Sequence, residues 1–148
     1  MSGPAEPQAS LPAAALTFWR LQAVALGVGA GLAAIAALGV LWGVLVLVAG
    51  VAVGLVGPTV VWRRWRYEVR PDELDLRHGV LTVRRTLVPI RRIQHVDTQS
   101  GPIEGMFDLA TVSVHTAAGA TKIPALRRGE AEAVRRRVAE LARTRDDV

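Results

Sequence analysis

The sequence contains no cysteine. That removes disulfides, thiolate metal sites and cysteine nucleophiles together, and agrees with a cytosolic setting for the part of the chain outside lipid. Lysine is almost absent too: Lys122 stands alone against seventeen arginines. With abundant Ala, Gly and Val, this preference reads as a GC-rich bacterial coding bias rather than as chemistry. Aromatics make up only 5% of the chain, so the placement of its four tryptophans carries information. The largest gap is in charge, because the forty-two residues from Leu21 to Trp62 include no ionisable side chain. A proton relay or ion path through that segment therefore has nothing to work with. No basic residue precedes Arg20, which argues against a secretory signal peptide.

As a single helix, forty-two residues would run about 63 Å, twice the hydrocarbon thickness of about 30 Å. Two passes fit, expected at about residues 19–38 and 43–62 within a membrane region 17–62. Trp19, Trp42 and the pair Trp62 and Trp65 are spaced as interface, far interface and near interface, since indole rings favour the headgroup level. A very short turn within 38–43 would close the hairpin. Arg20, Arg63, Arg64 and Arg66 flank one side and no charge marks the other, so the expected arrangement is a multi-pass protein of the bacterial cytoplasmic membrane with both termini cytoplasmic. Gly27 with Gly31, and Gly50 with Gly54, are small residues four apart that let helix backbones approach. They serve either to pack the hairpin on itself or to join it to a second copy. Pro58 is expected to kink the second span.

Residues 1–16, with Pro4, Pro7 and Pro12 and only Glu6 charged, read as a disordered tail. From residue 63 to 143 the pattern changes to short alternating runs separated by turn residues, the signature of a small antiparallel β-domain. Strands are expected at 67–70, 74–77, 80–90 with a bulge at Arg84-Arg85, 93–99, 111–116 and 121–123. Ile103, Met106, Phe107 and Leu109 suggest a turn or loop that plugs the domain. A helix over 129–143 carries Ala131, Val134, Val138 and Leu141 on one stripe, with Glu132 and Arg136 placed for an ion pair, and 144–148 is a tail. The fold class is α+β: a two-helix transmembrane hairpin, then a small antiparallel β-barrel or sandwich of pleckstrin-homology-like order, capped by a C-terminal helix.

Catalytic constellations are missing. His95 and Asp97 lie two apart on a strand and so share a face, but no nucleophile and no third metal ligand stands beside them by spacing; His78 reads as a turn residue and His115 as a strand residue. No phosphate-cradling loop or metalloprotease helix occurs. The expectation is no enzyme, no cofactor and no metal. Between Arg63 and Arg92 nine arginines face four acids. The first three are held beside the bilayer, while Arg84, Arg85, Arg91 and Arg92 would form a basic face for anionic lipid or an acidic partner if the chain brings them together. Nucleic acid is not expected, because the arginines are not interleaved with aromatic platforms.

Val88-Pro89-Ile90-Arg91-Arg92-Ile93-Gln94-His95-Val96, then Leu109-Ala110-Thr111-Val112 and His115-Thr116-Ala117-Ala118-Gly119, resemble the bacterial membrane-flanked PH-like domain family of the YdbS type. The order of two spans, Arg-Tyr-x-Val, domain and helix matches as well, from Arg20 to Arg143. Relatives usually carry a basic residue and then a glycine before Leu109, where this chain has Gly105 and Asp108. The resemblance implies a PH-like fold in a membrane-bound bacterial protein, often found with a larger relative bearing several such domains. It implies no established ligand and no catalysis. Together these readings point to a membrane-anchored adaptor or accessory subunit that binds a second membrane protein with PH-like domains. The alternatives are an anionic-lipid sensor and a scaffold that self-associates as a homo-oligomer.

Overall fold

The computed structural model describes residues 5–146 and divides into a helical hairpin, residues 15–63, and a domain built from the residues on either side of it. Helix α1 spans Ala13–Leu38 and α2 spans Val40–Arg64. Both are long and apolar enough to cross a membrane, with mean hydropathies of 2.0 and 2.5. Gly39 alone forms the turn, inside the expected window, with φ +91 that only glycine adopts freely. Its N–H donates to the Ile35 carbonyl at 3.1 Å, and its own carbonyl accepts from the Gly43 N–H at 3.0 Å. One helix ends and the next begins on the same residue. Helix α2 runs through Pro58 without interruption.

The hairpin closes on its glycines. A Cβ on Gly27 would lie 2.6 Å from the Gly50 carbonyl carbon, and one on Gly31 would lie 2.6 Å from the Leu47 Cβ. A Cβ on Gly54 would lie 2.8 Å from the Val24 backbone nitrogen, and one on Gly43 would collide with Ile35. Of the two uses expected for these residues, the structure displays packing of the hairpin on itself. Gly29 and Gly57 face open space. At the open end of the hairpin, Arg20 donates through Nε (3.2 Å) and Nη2 (2.7 Å) to the Thr59 hydroxyl, which in turn donates to the Leu55 carbonyl at 2.7 Å.

The domain holds two antiparallel sheets that do not close into a barrel. The first is β1 (Ala9–Ser10), β2 (Arg66–Val69), β3 (Glu73–His78) and β4 (Arg84–Pro89), in that order. A 3-10 turn over Ile90–Arg92 leads to the second sheet, β5 (Ile93–Gln99), β6 (Leu109–Thr116) and β7 (Gly119–Arg127). The short helix α3 (Pro102–Met106) joins β5 to β6, and α4 (Arg128–Asp146) lies against β5, β6, β7 and the 3-10 turn. Leu74, Leu76, Ile90, Val112, Val114, Ile123 and Leu126 fill the core, and α4 adds Ala131, Val134 and Val138 from its expected stripe.

Four local readings change. The segment before the hairpin, expected to be disordered, supplies β1, because β2 would otherwise present an unpaired edge; residues 1–4 lie outside the described residues. Residues 80–83 form a loop rather than the start of a long strand. Gly79 takes φ +125 and packs so closely on the Thr82 carbonyl that the chain is already turning, and β3 pairs β4 in regular register with no bulge at Arg84-Arg85. Leu109 is fully buried and Phe107 only half-buried, while Ile103 and Met106 are exposed, so the core is plugged from β6 rather than by the loop before it. Glu132 pairs with Arg135, one residue nearer than Arg136.

Candidate functional site

A polar network is built around Asp75, a carboxylate with no exposed surface on β3. An isolated buried carboxylate is costly, so it must be met by charge. Arg85 on β4 does so through two donors, Nη2 to Oδ2 at 2.6 Å and Nε to Oδ1 at 3.0 Å, and Arg70 adds Nη2 at 3.2 Å. Arg70 also reaches Glu68 at 2.9 Å and Glu73 at 3.4 Å. Both guanidinium groups donate to the Ala5 carbonyl, Arg85 at 3.1 Å, and Glu6 pairs with Arg77. The segment ahead of the hairpin is thereby latched onto this sheet by charge as well as by β1. The Arg85 guanidinium is held still more firmly protonated than usual, chiefly by its hydrogen bond to Asp75.

The four arginines expected to form one basic face do not gather. Arg84 and Arg85 open β4, whereas Arg91 and Arg92 follow its far end in the 3-10 turn. The rest of β4, Thr86 to Pro89, and Ile90 lie between the two pairs, which at about 3.3 Å per strand residue sets them well over 10 Å apart. Arg85 is spent on Asp75, leaving Arg84, Arg91 and Arg92 exposed. Arg92 lines a shallow groove of ≈ 240 Å³ with Val88, Thr116 and Thr121, along the seam where the two sheets fail to join.

The cross-strand register shows what accompanies Arg84. Ser10 pairs Arg66, Arg66 pairs Arg77, and His78 pairs Arg84. One end of the sheet thus collects the start of β2, two residues after α2 ends, together with the β3–β4 loop. That loop is apolar and uncovered: Leu81 is 100% exposed, Val80 40% and Val83 47%. The sequence hid this feature because Val80-Leu81-Thr82-Val83 reads as strand. Of the residues expected at a membrane interface, Arg63 and Arg64 are exposed at the end of α2, and Trp19, Arg20, Trp62 and Arg66 are half-buried. Trp42 is exposed in the first turn of α2, beside the hairpin turn. Trp65 differs from that expectation. It is buried and stacked on His78 at a centroid distance of 5.0 Å, so its ring belongs to the domain.

Three further side chains meet on the second sheet. His95 and Asp97 do share a face, and the pairing of His95 with His115 brings in a third group that spacing along the chain could not reveal. The two imidazoles stack at 4.2 Å, and their Nε2 atoms lie 3.5 and 3.4 Å from Asp97 Oδ2. Elsewhere, the Tyr67 hydroxyl donates to Glu130, tying β2 to α4. Burial first, and then that bond to a carboxylate, raise its pKa above the ordinary 10.0.

Comparison with known proteins agrees with this architecture. Residues 13–142 match the model of the family described as bacterial PH domain. The UPF0699 transmembrane protein YdbS of Bacillus subtilis (strain 168) is 41% identical over 110 residues, covering 74% of this chain and 67% of that protein. The UPF0699 transmembrane protein YdbT of the same organism is 29% identical over 73 residues, covering 49% of this chain but only 15% of that protein. No solved structure matches. With two apolar helices joined to two antiparallel sheets and a C-terminal helix, and with the family match running through all of them, the chain belongs to the bacterial PH domain family.

Proposed function

We propose that this is a non-enzymatic, membrane-anchored PH-like module at the inner face of the bacterial membrane, whose domain engages the anionic bilayer surface through the β3–β4 loop. The observation that carries this reading is the fully exposed Leu81, between Val80 and Val83 and next to Arg84, at the sheet end that also holds Arg66. Burying a leucine side chain stabilises by about 1.5–3 kcal/mol. Each arginine beside an anionic surface adds about 1 kcal/mol. Such modest energies suffice for a tethered domain, which binds as an intramolecular event at high effective concentration. The antiparallel pairing of β1, before the hairpin, with β2, after it, supports both ends of the hairpin leaving on one side of the membrane, and thus two crossings with cytoplasmic termini.

The absence of cysteine permits a clean test. A Leu81→Cys variant carrying an environment-sensitive dye is placed in nanodiscs of zwitterionic lipid or of zwitterionic and anionic lipid mixed, with Ala117→Cys in the β6–β7 turn as the control. Blue-shifted emission quenched by spin-labelled lipid at position 81, stronger on anionic discs and weakened by salt, is the expected result. Emission like that of the dye in water on both disc types overturns the lipid reading.

A second reading, an adaptor for another membrane protein with PH-like domains, draws support from the match to a much longer transmembrane relative and from the exposed Ile103 and Met106 on α3. It predicts that Met106→Asp removes a protein recovered with the wild type from mild detergent, while leaving the loop's lipid contact intact.

A further inference from the structure

We propose that His95, His115 and Asp97 form a binding site for one divalent transition-metal ion of the zinc type. Their three candidate ligand atoms lie within 4.8 Å of one another, and two of the three separations are already 3.4 and 3.5 Å. Two ligand atoms each about 2.1 Å from a tetrahedral zinc stand about 3.4 Å apart. Two edges of the coordination face are therefore at length before any metal arrives, and to close the third the stacked imidazoles must turn out of their parallel arrangement so that both ring nitrogens point at the ion. Adjacent, rigidly paired strands supply the ligands: His95 directly opposite His115, and Asp97 opposite Ser113 on the same face.

The donor set selects the class of ion. Two neutral imidazoles and a carboxylate suit zinc, cobalt, nickel or copper, whereas magnesium and calcium prefer oxygen ligands throughout. Ser113 adds an independent observation. Its hydroxyl is 98% buried by residue, opposite Asp97, and has no hydrogen-bond partner among the described residues. A buried hydroxyl left unpaired is unusual, and this one belongs to the residue paired across the strands with the ligating Asp97. Two cations moderate the site: Arg135 on α4, which feels the Asp97 charge while Glu132 holds it, and Lys122, opposite Ser113 on β7. With three ligands from the chain and its outer side in solvent, the ion keeps an open position for water or for a side chain of another protein.

The test uses the full chain, free of affinity tag, stripped with chelator and held in detergent micelles. Cobalt(II) is titrated in and followed by its visible absorption, then displaced with zinc. One equivalent per chain is expected, with affinity falling at least about tenfold in His95→Ala, His115→Ala and Asp97→Asn, by analogy with the 10–100-fold cost of disturbing even outer-shell groups. His78→Ala, which touches Trp65 instead, should bind as the wild type does. Metal-free melting temperatures equal to that of the wild type verify that the variants are folded. No saturable signal at one equivalent, or wild-type affinity in the His95→Ala, His115→Ala double variant, overturns the proposal.

Discussion

Asp75 is the residue on which the first sheet depends most. Removing one partner from a buried ionic network typically costs about 3–5 kcal/mol, because the groups left behind lose their compensation. Arg70 and Arg85 keep some contact with water, so Asp75→Ala should cost about 3 kcal/mol, measured by denaturant unfolding of the full chain in micelles. In the sequence Asp75 is one polar position in an alternating strand, and nothing local marks it as buried, since its partners are Arg70 in the β2–β3 turn and Arg85 on β4. Tyr67 gives a pH signature. The folded state holds the phenolic proton above the ordinary value of 10.0 while the unfolded chain releases it there. Above pH 10 the unfolded state therefore binds fewer protons, and stability must fall as pH rises. Tyr67→Phe should remove that slope. Asp108 sits at φ 56, where a side chain is disfavoured. Asp108→Gly should stabilise by about 1 kcal/mol, read as a raised melting temperature.

Among the elements, those with a strong period were legible and those made by contact were not. The uncharged run announced the hairpin, and the spacing of Ala131, Val134 and Val138 announced α4, because each face is written in consecutive turns of one helix. The β3–β4 loop was hidden by alternating Val and Leu, which look alike in a strand and in an exposed tip. The histidine and aspartate cluster was hidden for another reason: His95 and His115 meet only through strand register. The glycines of the hairpin can be tested directly. Gly27→Leu drives a side chain into the Gly50 backbone, whereas at Gly29 nothing lies within 4 Å. Titration of micelles with a denaturing detergent should show Gly27→Leu opening the hairpin at a lower detergent fraction, and Gly29→Leu opening it where the wild type does.

At the scale of the whole molecule, the domain is discontinuous: Ala9 pairs Tyr67, with both helices between them. Deleting residues 1–11 should remove β1, the Ala5 acceptor of two arginines and the Glu6 partner of Arg77. A loss of about 2 kcal/mol corresponds to a melting temperature lower by about 8–16 °C for a domain of this size, and the same deletion should leave α1 and α2 helical by circular dichroism. Under the proposed two-pass topology, the discontinuity also ties completion of the β-sheet to insertion of both helices. A chain that threaded only one helix, or sent its leading residues across the bilayer, would arrive at Arg66 with no strand to receive it. The β2 strand would then be left as an unpaired edge, and Arg70 and Arg85 would lose the Ala5 carbonyl they share.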